Sequence, residues 1–373
     1  MLCCKFSEQS TQMKITNFKT TLVDVPLQKP IATAIHSIRS AGCVLLELET
    51  DVGIVGESYV FTLNGVRLKA LHEMLLGFSP QVEGRDPHFV GAIWQDIWNE
   101  MNPIGQKGFS VMALSAIDTA CWDIIGKAAE LPLHRVFGAF RNKVKTYASG
   151  GLWLSQTIDE CLNEAQGFLD NGFRGMKIRL GNKNMADDVE RVKALREAIG
   201  PEVELYADAN QSLSPKQAIR LGRQLEAFNL VWFEEPVVYN NLKGNAEVRQ
   251  ALDTPIAGGE TEYTRYGMRD ILEAGAVDIL MPDLQRIGGL SEFRRTAAIA
   301  ASYEISVSSH LFTEHSICIA ASEANCISIE HMPWFAPLFN ESMEIDDGYI
   351  AVPERPGIGF SFNQSAISRY QLK

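Results

Sequence analysis

Three carboxylates recur at a fixed interval. Asp208, Glu234 and Glu260 are spaced 26 residues apart, and each ends a short apolar run: ELYADAN, VWFEEP and PIAGGE. Acids gathered in one pocket repel unless a cation sits between them. All-oxygen ligation with few protein ligands favours Mg2+, with Mn2+ the next choice. The rhythm continues with Asp283 in VDILMPD, His310 in ISVSSH and Glu330 in CISIEH. It is preceded by Ser149 at the end of VKTYAS and by Lys177-Ile178-Arg179 in GMKIRL. Such groups are costly to bury unless they serve one another or a ligand. One acid alone at a strand end reads as a helix cap or an ion-pair partner; three in succession, followed by Asp and His, read as a site.

The elements that must carry these residues follow from hydrophobic period. After about residue 142, short apolar strands alternate with amphipathic helical stretches such as TIDECLNEAQGFLDNG and MADDVERVKALREAIG. Eight strands joined by crossovers imply parallel pairing, and eight can close into a (β/α)8-type barrel whose chemistry sits at the C-terminal strand ends. Before that point strands come first and helices after. KITNFKTTLVDVPL and GCVLLELETDVGIVGESYVF, the latter folded at Asp51-Val52-Gly53, precede three helical stretches, which makes an α+β unit. The expected division is 1–140 for the α+β domain and 141–335 for the barrel. Residues 336–373 form a C-terminal segment whose hairpin, turned at Asp347-Gly348, leaves the barrel to rejoin the first domain.

Composition narrows the function. The 373 residues suffice for two domains at roughly 100–200 residues each. A net charge of −12 offers no basic footprint for nucleic acid, and no long uninterrupted apolar run points to a membrane span. The first residues, MLCCKFSEQSTQMK, lack an apolar signal core and read as an optional leader. Seven cysteines, five of them scattered in apolar runs, read as buried thiols of a reducing cytoplasm. No His cluster offers zinc ligands, which disfavours a zinc hydrolase.

The ordered set Lys-x-Arg, Asp-x-Asn, Glu-Glu-Pro, Gly-Glu, Pro-Asp-x-x-Arg-Ile-Gly-Gly, Ser-Ser-His-Leu-Phe and Glu resembles the mandelate racemase subgroup of the enolase superfamily. VGESYVF, SAIDTACWDIIGK and PGIGF extend the resemblance over nearly the whole chain. It implies that the α+β domain caps the barrel mouth and that the chain forms homo-oligomers, from dimer to octamer. Asp208, Glu234 and Glu260 then match Mg2+ ligands, Asp283 and His310 a general-base dyad, and Glu330 an acid that hydrogen-bonds the substrate carboxylate. Lys177 matches the first lysine of a Lys-x-Lys motif, while Asn210 and Arg286 match positions around the metal and the dyad. The chemistry implied is removal of the proton alpha to a carboxylate, with a metal-stabilised ene-diolate. His310 suits the base because imidazole titrates near neutrality. A protonated Glu330 is expected to donate where the enolate charge grows.

Arg179 departs from that pattern, standing where the family has a second lysine. Racemisation by two bases needs one on each face of the substrate, and a guanidinium keeps its proton. One-base chemistry, β-elimination of water from an acid sugar to give a 2-keto-3-deoxy acid, becomes the leading expectation. Racemisation or epimerisation of a 2-hydroxy acid, with Lys177 or Arg179 as second base, stands as the alternative, and a non-catalytic metal- or acid-binding paralogue as a third. Around a small hydroxycarboxylate substrate, Ser149, Asn210 and Arg286 are expected contacts. The segment Lys29–Arg39, with His36, Ser37 and Arg39, is expected over the mouth, and Tyr59 is expected to supply a hydroxyl or an aromatic wall. By strand alternation Glu235 and His331 should face away from the site. Glu262 could back the metal, and His315 reads as a capping or supporting residue.

Overall fold

The computed structural model describes residues 13–372; the N-terminal leader lies outside the described residues. Strands β1 (Ile15–Ala32), β2 (Ser37–Thr50) and β3 (Val55–Leu63) form an antiparallel sheet with β2 at its centre. The β2–β3 turn is closed by Thr50 N–H donating to the Ile54 carbonyl at 3.0 Å, with Gly53 at φ 80°. Helices α1 (Leu68–Gly77), α2 (Val90–Glu100) and α3 (Phe109–Ala128) follow. By length and composition α3 is apolar enough to cross a membrane. It is apolar on all sides because the sheet, α1, α2 and the barrel cover it. A Cβ at Gly56 of β3 would stand 2.2 Å from the Ala120 carbonyl oxygen, so glycine there lets α3 lie directly on the sheet.

The second region is a closed parallel barrel. Its eight strands are β4 (Lys143–Ala148), β5 (Gly175–Arg179), β6 (Glu204–Asp208), β7 (Phe233–Glu234), β8 (Ile256–Gly258), β9 (Ile279–Leu280), β10 (Ser306–Ser309) and β11 (Cys326–His331). Each pairs with the next, and β11 pairs with β4 to close the ring. The interior below the mouth is filled by Tyr147, Tyr206 and Trp232, with ring centroids 4.3–5.3 Å apart, together with Ile279 and Met281. That aromatic plug leaves only the C-terminal end of the barrel free for polar chemistry.

The tail corrects one expectation. The hairpin of β12 (Ile345–Asp346) and β13 (Tyr349–Ala351) stays on the barrel, with β13 pairing antiparallel to β4. A strand already open on that side accepts the hairpin's backbone groups before the chain turns away. From Gly357 onward the chain returns to the first region: Ile358 N–H donates to Asp123 Oδ1 at 2.9 Å, and Leu372 N–H to the Leu22 carbonyl at 2.9 Å.

Candidate active site

A cavity of about 630 Å3 opens at the C-terminal ends of the barrel strands. Its barrel wall carries Lys177, Arg179, Asp208, Glu260, His310 and Glu330. Its opposite wall comes from the three-stranded sheet and its loops, with Thr33, His36 and Asn64 among apolar Ile35, Ile38 and Leu63. Phe61 of β3 ties the two walls together, its N–H donating to Gln285 Oε1 at 2.9 Å. His36 thus lines the cavity as expected, and so do Asn210 and Arg286.

On one side of the mouth His310 Nδ1 lies 2.7 Å from Asp283 Oδ2, which leaves Nε2 toward the cavity, 3.5 Å from Glu260 Oε2. Asp283 is fully buried and its other oxygen accepts the Arg286 N–H at 2.9 Å, which fixes the carboxylate and, through it, the imidazole plane. Burial alone depresses the His310 pKa, but Glu260, the bond to Asp283 and Glu330 outweigh it and lift the value to about 9; a cation held at Glu260 would cancel the largest of these pulls and open Nε2 as a base.

The other side is built differently. Lys177 Nζ contacts Glu234 at 2.7 Å and Glu330 at 2.8 Å, with Asp208 at 3.8 Å. Although burial favours its neutral form, those carboxylates hold its pKa above the usual lysine range. Arg179 donates from Nη2 to Ser149 Oγ at 2.9 Å, lies 3.4 Å from Asp208 through Nε, and stacks over Trp153 at 4.7 Å. Lys177 is enclosed by carboxylates that hold its proton and a guanidinium keeps its own, so these contacts favour the one-base expectation over the alternative in which Lys177 or Arg179 is a second base.

Glu330 also differs from expectation. It accepts from Lys177, from Ser149 Oγ at 2.5 Å and from the Leu311 N–H at 2.7 Å. Burial would raise its pKa, but the charges of Lys177, His310 and Arg179 hold it well below the usual carboxylate range. Glu330 is therefore an ionised acceptor here, not a protonated donor, and Ser149 is its hydrogen-bond donor without lining the cavity.

Among the expected metal ligands, Asp208 and Glu260 line the cavity, whereas Glu234 lies one layer deeper. Its oxygens accept Lys177 Nζ and, at 2.9 Å, Trp232 Nε1. Consequently no three His, Cys, Asp or Glu side chains stand arranged as a finished metal cluster among the described residues. The donor chemistry nonetheless fits a hard cation. Around the mouth, Asp208, Glu234, Glu235, Glu260, Asp283 and Glu330 outnumber Lys177, Arg179 and Arg286. Burial first, then Asp208, Glu260 and Glu330 against the pull of Lys177, raise Glu234 to about 8. Asn210 Oδ1 and Glu235 Oε1 are buried acceptors without a donor among the described residues. A divalent ion would relieve that excess of negative charge.

Other expectations sort by backbone geometry. Glu235 has φ 37°, a left-handed turn that swings its side chain to the cavity wall and overrides strand alternation; its Oε2 accepts Gln211 Nε2 at 2.8 Å. Tyr59 does not reach the cavity. Its ring packs among Phe312, Phe335 and His315 at 4.8–4.9 Å, because β3 presents it to the interface between sheet and barrel. His315 is buried there, its pKa pushed down to about 3 by burial. His331 faces away and stacks edge-on against Phe173. Glu262 pairs with Lys107 at 2.5 Å and does not line the cavity. Trp153 and Leu311, on loops, and Gln285, in the one-turn helix Leu284–Ile287, are cavity residues for which the sequence gives no period to follow.

These features are shared with known proteins. Residues 15–138 match the mandelate racemase / muconate lactonizing enzyme N-terminal domain, and residues 160–366 match the enolase C-terminal domain-like family. The chain belongs to the mandelate racemase subgroup of the enolase superfamily. It is 32% identical to L-talarate/galactarate dehydratase of Salmonella typhimurium, over 95% of this chain and 90% of that one. It is 33% identical to D-galactarolactone cycloisomerase of Agrobacterium fabrum, over 96% and 99%. The crystal structure of the Salmonella dehydratase liganded with Mg and L-lyxarohydroxamate superposes with a TM-score of 0.94 at 30% identity, covering 100% of this chain and 96% of that one.

Proposed function

We propose that this chain is a Mg2+-dependent lyase that takes the alpha proton from a hydroxycarboxylate of the acid-sugar type and expels the beta hydroxyl as water. The observation that carries the reading is the asymmetry of the mouth: a dyad with an open imidazole nitrogen on one side, two cations that keep their protons on the other. His310 Nε2 takes the proton, and the C–H electron pair enters the ene-diolate. The bond from the beta carbon to oxygen then breaks, and the departing hydroxide recovers a proton from the imidazolium as water. The resulting enol becomes a 2-keto-3-deoxy acid. Asp283 stabilises the imidazolium formed between the two transfers. Asp208, Glu234 and Glu260 would hold Mg2+, which would supply Lewis-acid stabilisation of the negative charge on the substrate's carboxylate. Thr33, His36 and Asn64 on the sheet wall offer partners to substrate hydroxyls.

Kinship with a talarate/galactarate dehydratase whose structure holds Mg supports this reading. The five described cysteines, buried and unpaired, support a reducing, cytoplasmic setting. The test is a panel of aldonic and aldaric acids, with mandelate and related 2-hydroxy acids, incubated with Mg2+ in D2O. A keto product trapped as its semicarbazone is expected. Deuterium entering recovered acid with inversion, and no keto product, would replace the lyase with a racemase.

A further inference from the structure

The turn that carries Asp283 of the dyad is held from the first region of the molecule. Asp283 caps the one-turn helix Leu284–Ile287, its carboxylate accepting the Arg286 N–H. A single helical turn fixes more dihedrals than its hydrogen bonds repay. Gly288 and Gly289 follow it at φ 98° and 95°, adding chain freedom that folding must remove. The turn therefore takes its geometry from what packs against it. One stripe of α3 supplies that support. Val111, Ser115, Asp118 and Trp122 recur at helical spacing in VMALSAIDTACWD, so they share one face. Ser115 Oγ donates to the Leu284 carbonyl at 2.8 Å, Asp118 Oδ2 accepts the Ser291 N–H at 2.9 Å, and Trp122 Nε1 donates to Ser291 Oγ at 2.8 Å. From α2, Trp94 Nε1 donates to the Gly288 carbonyl at 3.0 Å, and from β3 the Phe61 N–H reaches Gln285 Oε1. A Cβ at Gly289 would stand 2.5 Å from Asp118 Oδ2, so glycine there lets α3 come this close. His310, by contrast, directly follows β10 and sits on the ring itself.

We infer that Ser115 and Trp94 are positioning residues for the general base: they hold the 284–291 segment so that Asp283, and through it the His310 imidazole, stays aimed at the substrate. Neither lines the cavity. Their effect falls on the proton-transfer step. A carboxylate that tilts lets the imidazole tilt, and Nε2 loses its line to the alpha carbon, while the β5 side and the sheet wall of the cavity stay where they are. Misplacing a reacting group by about 1 Å can cost about 10^2-fold in rate. The inference rests on the reading of His310 as the base, and the experiment separates the two.

The full chain with Mg2+ is compared with Ser115→Ala, Trp94→Phe and the double variant. Ser58→Ala is the control: Ser58 Oγ donates to the Ala116 carbonyl at 2.7 Å, an equally buried hydrogen bond that joins α3 to β3 and not to the segment. Two readouts are taken: kcat and KM with whichever acid proves active, and the resonance of the proton that His310 Nδ1 shares with Asp283. The latter is followed in protein labelled with nitrogen-15 histidine and assigned by its absence from His310→Asn. The double variant is expected to lower kcat by about 10–10^2-fold with KM near wild type, and to shift or broaden the His310 resonance. The single variants should do the same to a smaller extent, and they carry the comparison if the double variant does not fold. Ser58→Ala should lower the melting temperature and leave kcat and the resonance as in wild type. A loss of kcat in Ser58→Ala as large as in Ser115→Ala would overturn the inference, as would a wild-type His310 resonance in the variants or a loss confined to KM. If the wild-type chain exchanges its alpha proton without forming a keto acid, the exchange rate replaces kcat. If it acts on no acid at all, the lyase reading falls and the His310 resonance in the variants still decides the positioning role.

Discussion

The two sides of the barrel mouth are made of the same kinds of residue and do opposite things. On β10 and the end of β9, a carboxylate and a basic side chain form a pair with one nitrogen left open, His310 against Asp283. On β5, two basic side chains are surrounded by carboxylates and a hydroxyl until no basic lone pair is left, Lys177 among Glu234, Glu330 and Asp208, and Arg179 against Ser149. The difference lies in the ratio of partners to side chains. One carboxylate per imidazole orients a base, whereas several carboxylates per ammonium fix a proton in place. A site with a base on one face alone is suited to elimination, where the proton that leaves the carbon can depart with the hydroxyl.

That contrast can be broken first at the open side. His310→Asn should abolish both turnover and exchange of the alpha proton with D2O, by about 10^2–10^4 for loss of a general base. Substantial exchange in this variant would mean that the β5 side holds a base after all. The next effect in size concerns the cation. Asp208→Asn or Glu260→Gln should cost a few kcal/mol of stabilisation, about 10^2–10^3 in rate at roughly 1.4 kcal/mol per tenfold. The same variants should weaken Mn2+ binding followed by electron paramagnetic resonance; full activity with unchanged Mn2+ affinity would remove the metal from these residues. The smallest effect tests the boundary of the site. Tyr59→Phe, which deletes a hydroxyl that is buried without a partner, should leave kinetics unchanged and stability equal or slightly higher on thermal melting. A clear fall in kcat/KM would bring Tyr59 back to the substrate.

Much of this was legible in the chain. Alternating strands and helices announced the barrel, and the charged residues at successive strand ends announced which end carries the chemistry. Asp208, Glu260, Asp283, His310 and Glu330 meet at the mouth because strand ends in a closed barrel have nowhere else to converge. The part that was not legible depends on single dihedrals and on local competition for protons. The left-handed turns at Asn210, Gln211 and Glu235 (φ 43°, 62° and 37°) redirect side chains that alternation would send elsewhere. Glu234 turns down to Trp232 because an indole N–H in the plug needs an acceptor. The ionised state of Glu330 follows from Lys177 and Arg179 on β5, His310 and Leu311 after β10, and Ser149 after β4, whose meeting no period in the sequence encodes. The hairpin at Asp347-Gly348 was read correctly as a turn, but where it docks was decided by the open side of β4.

The ring closes where β11 meets β4, with Glu330 opposite Tyr147 in register. Ser149 follows β4 directly and Glu330 lies on β11, so the contact between them spans the junction of the first and last barrel strands, residues 181 apart in sequence. Forming it closes a loop of 181 residues, a long-range closure that costs chain entropy. Without that junction Glu330 lacks its Ser149 donor, and the hydroxyl that Arg179 meets loses its anchor. The arrangement of this side of the mouth is thus tied to closure of the ring, and a chain loosened at that junction should lose the order of the mouth before it loses most of its secondary structure.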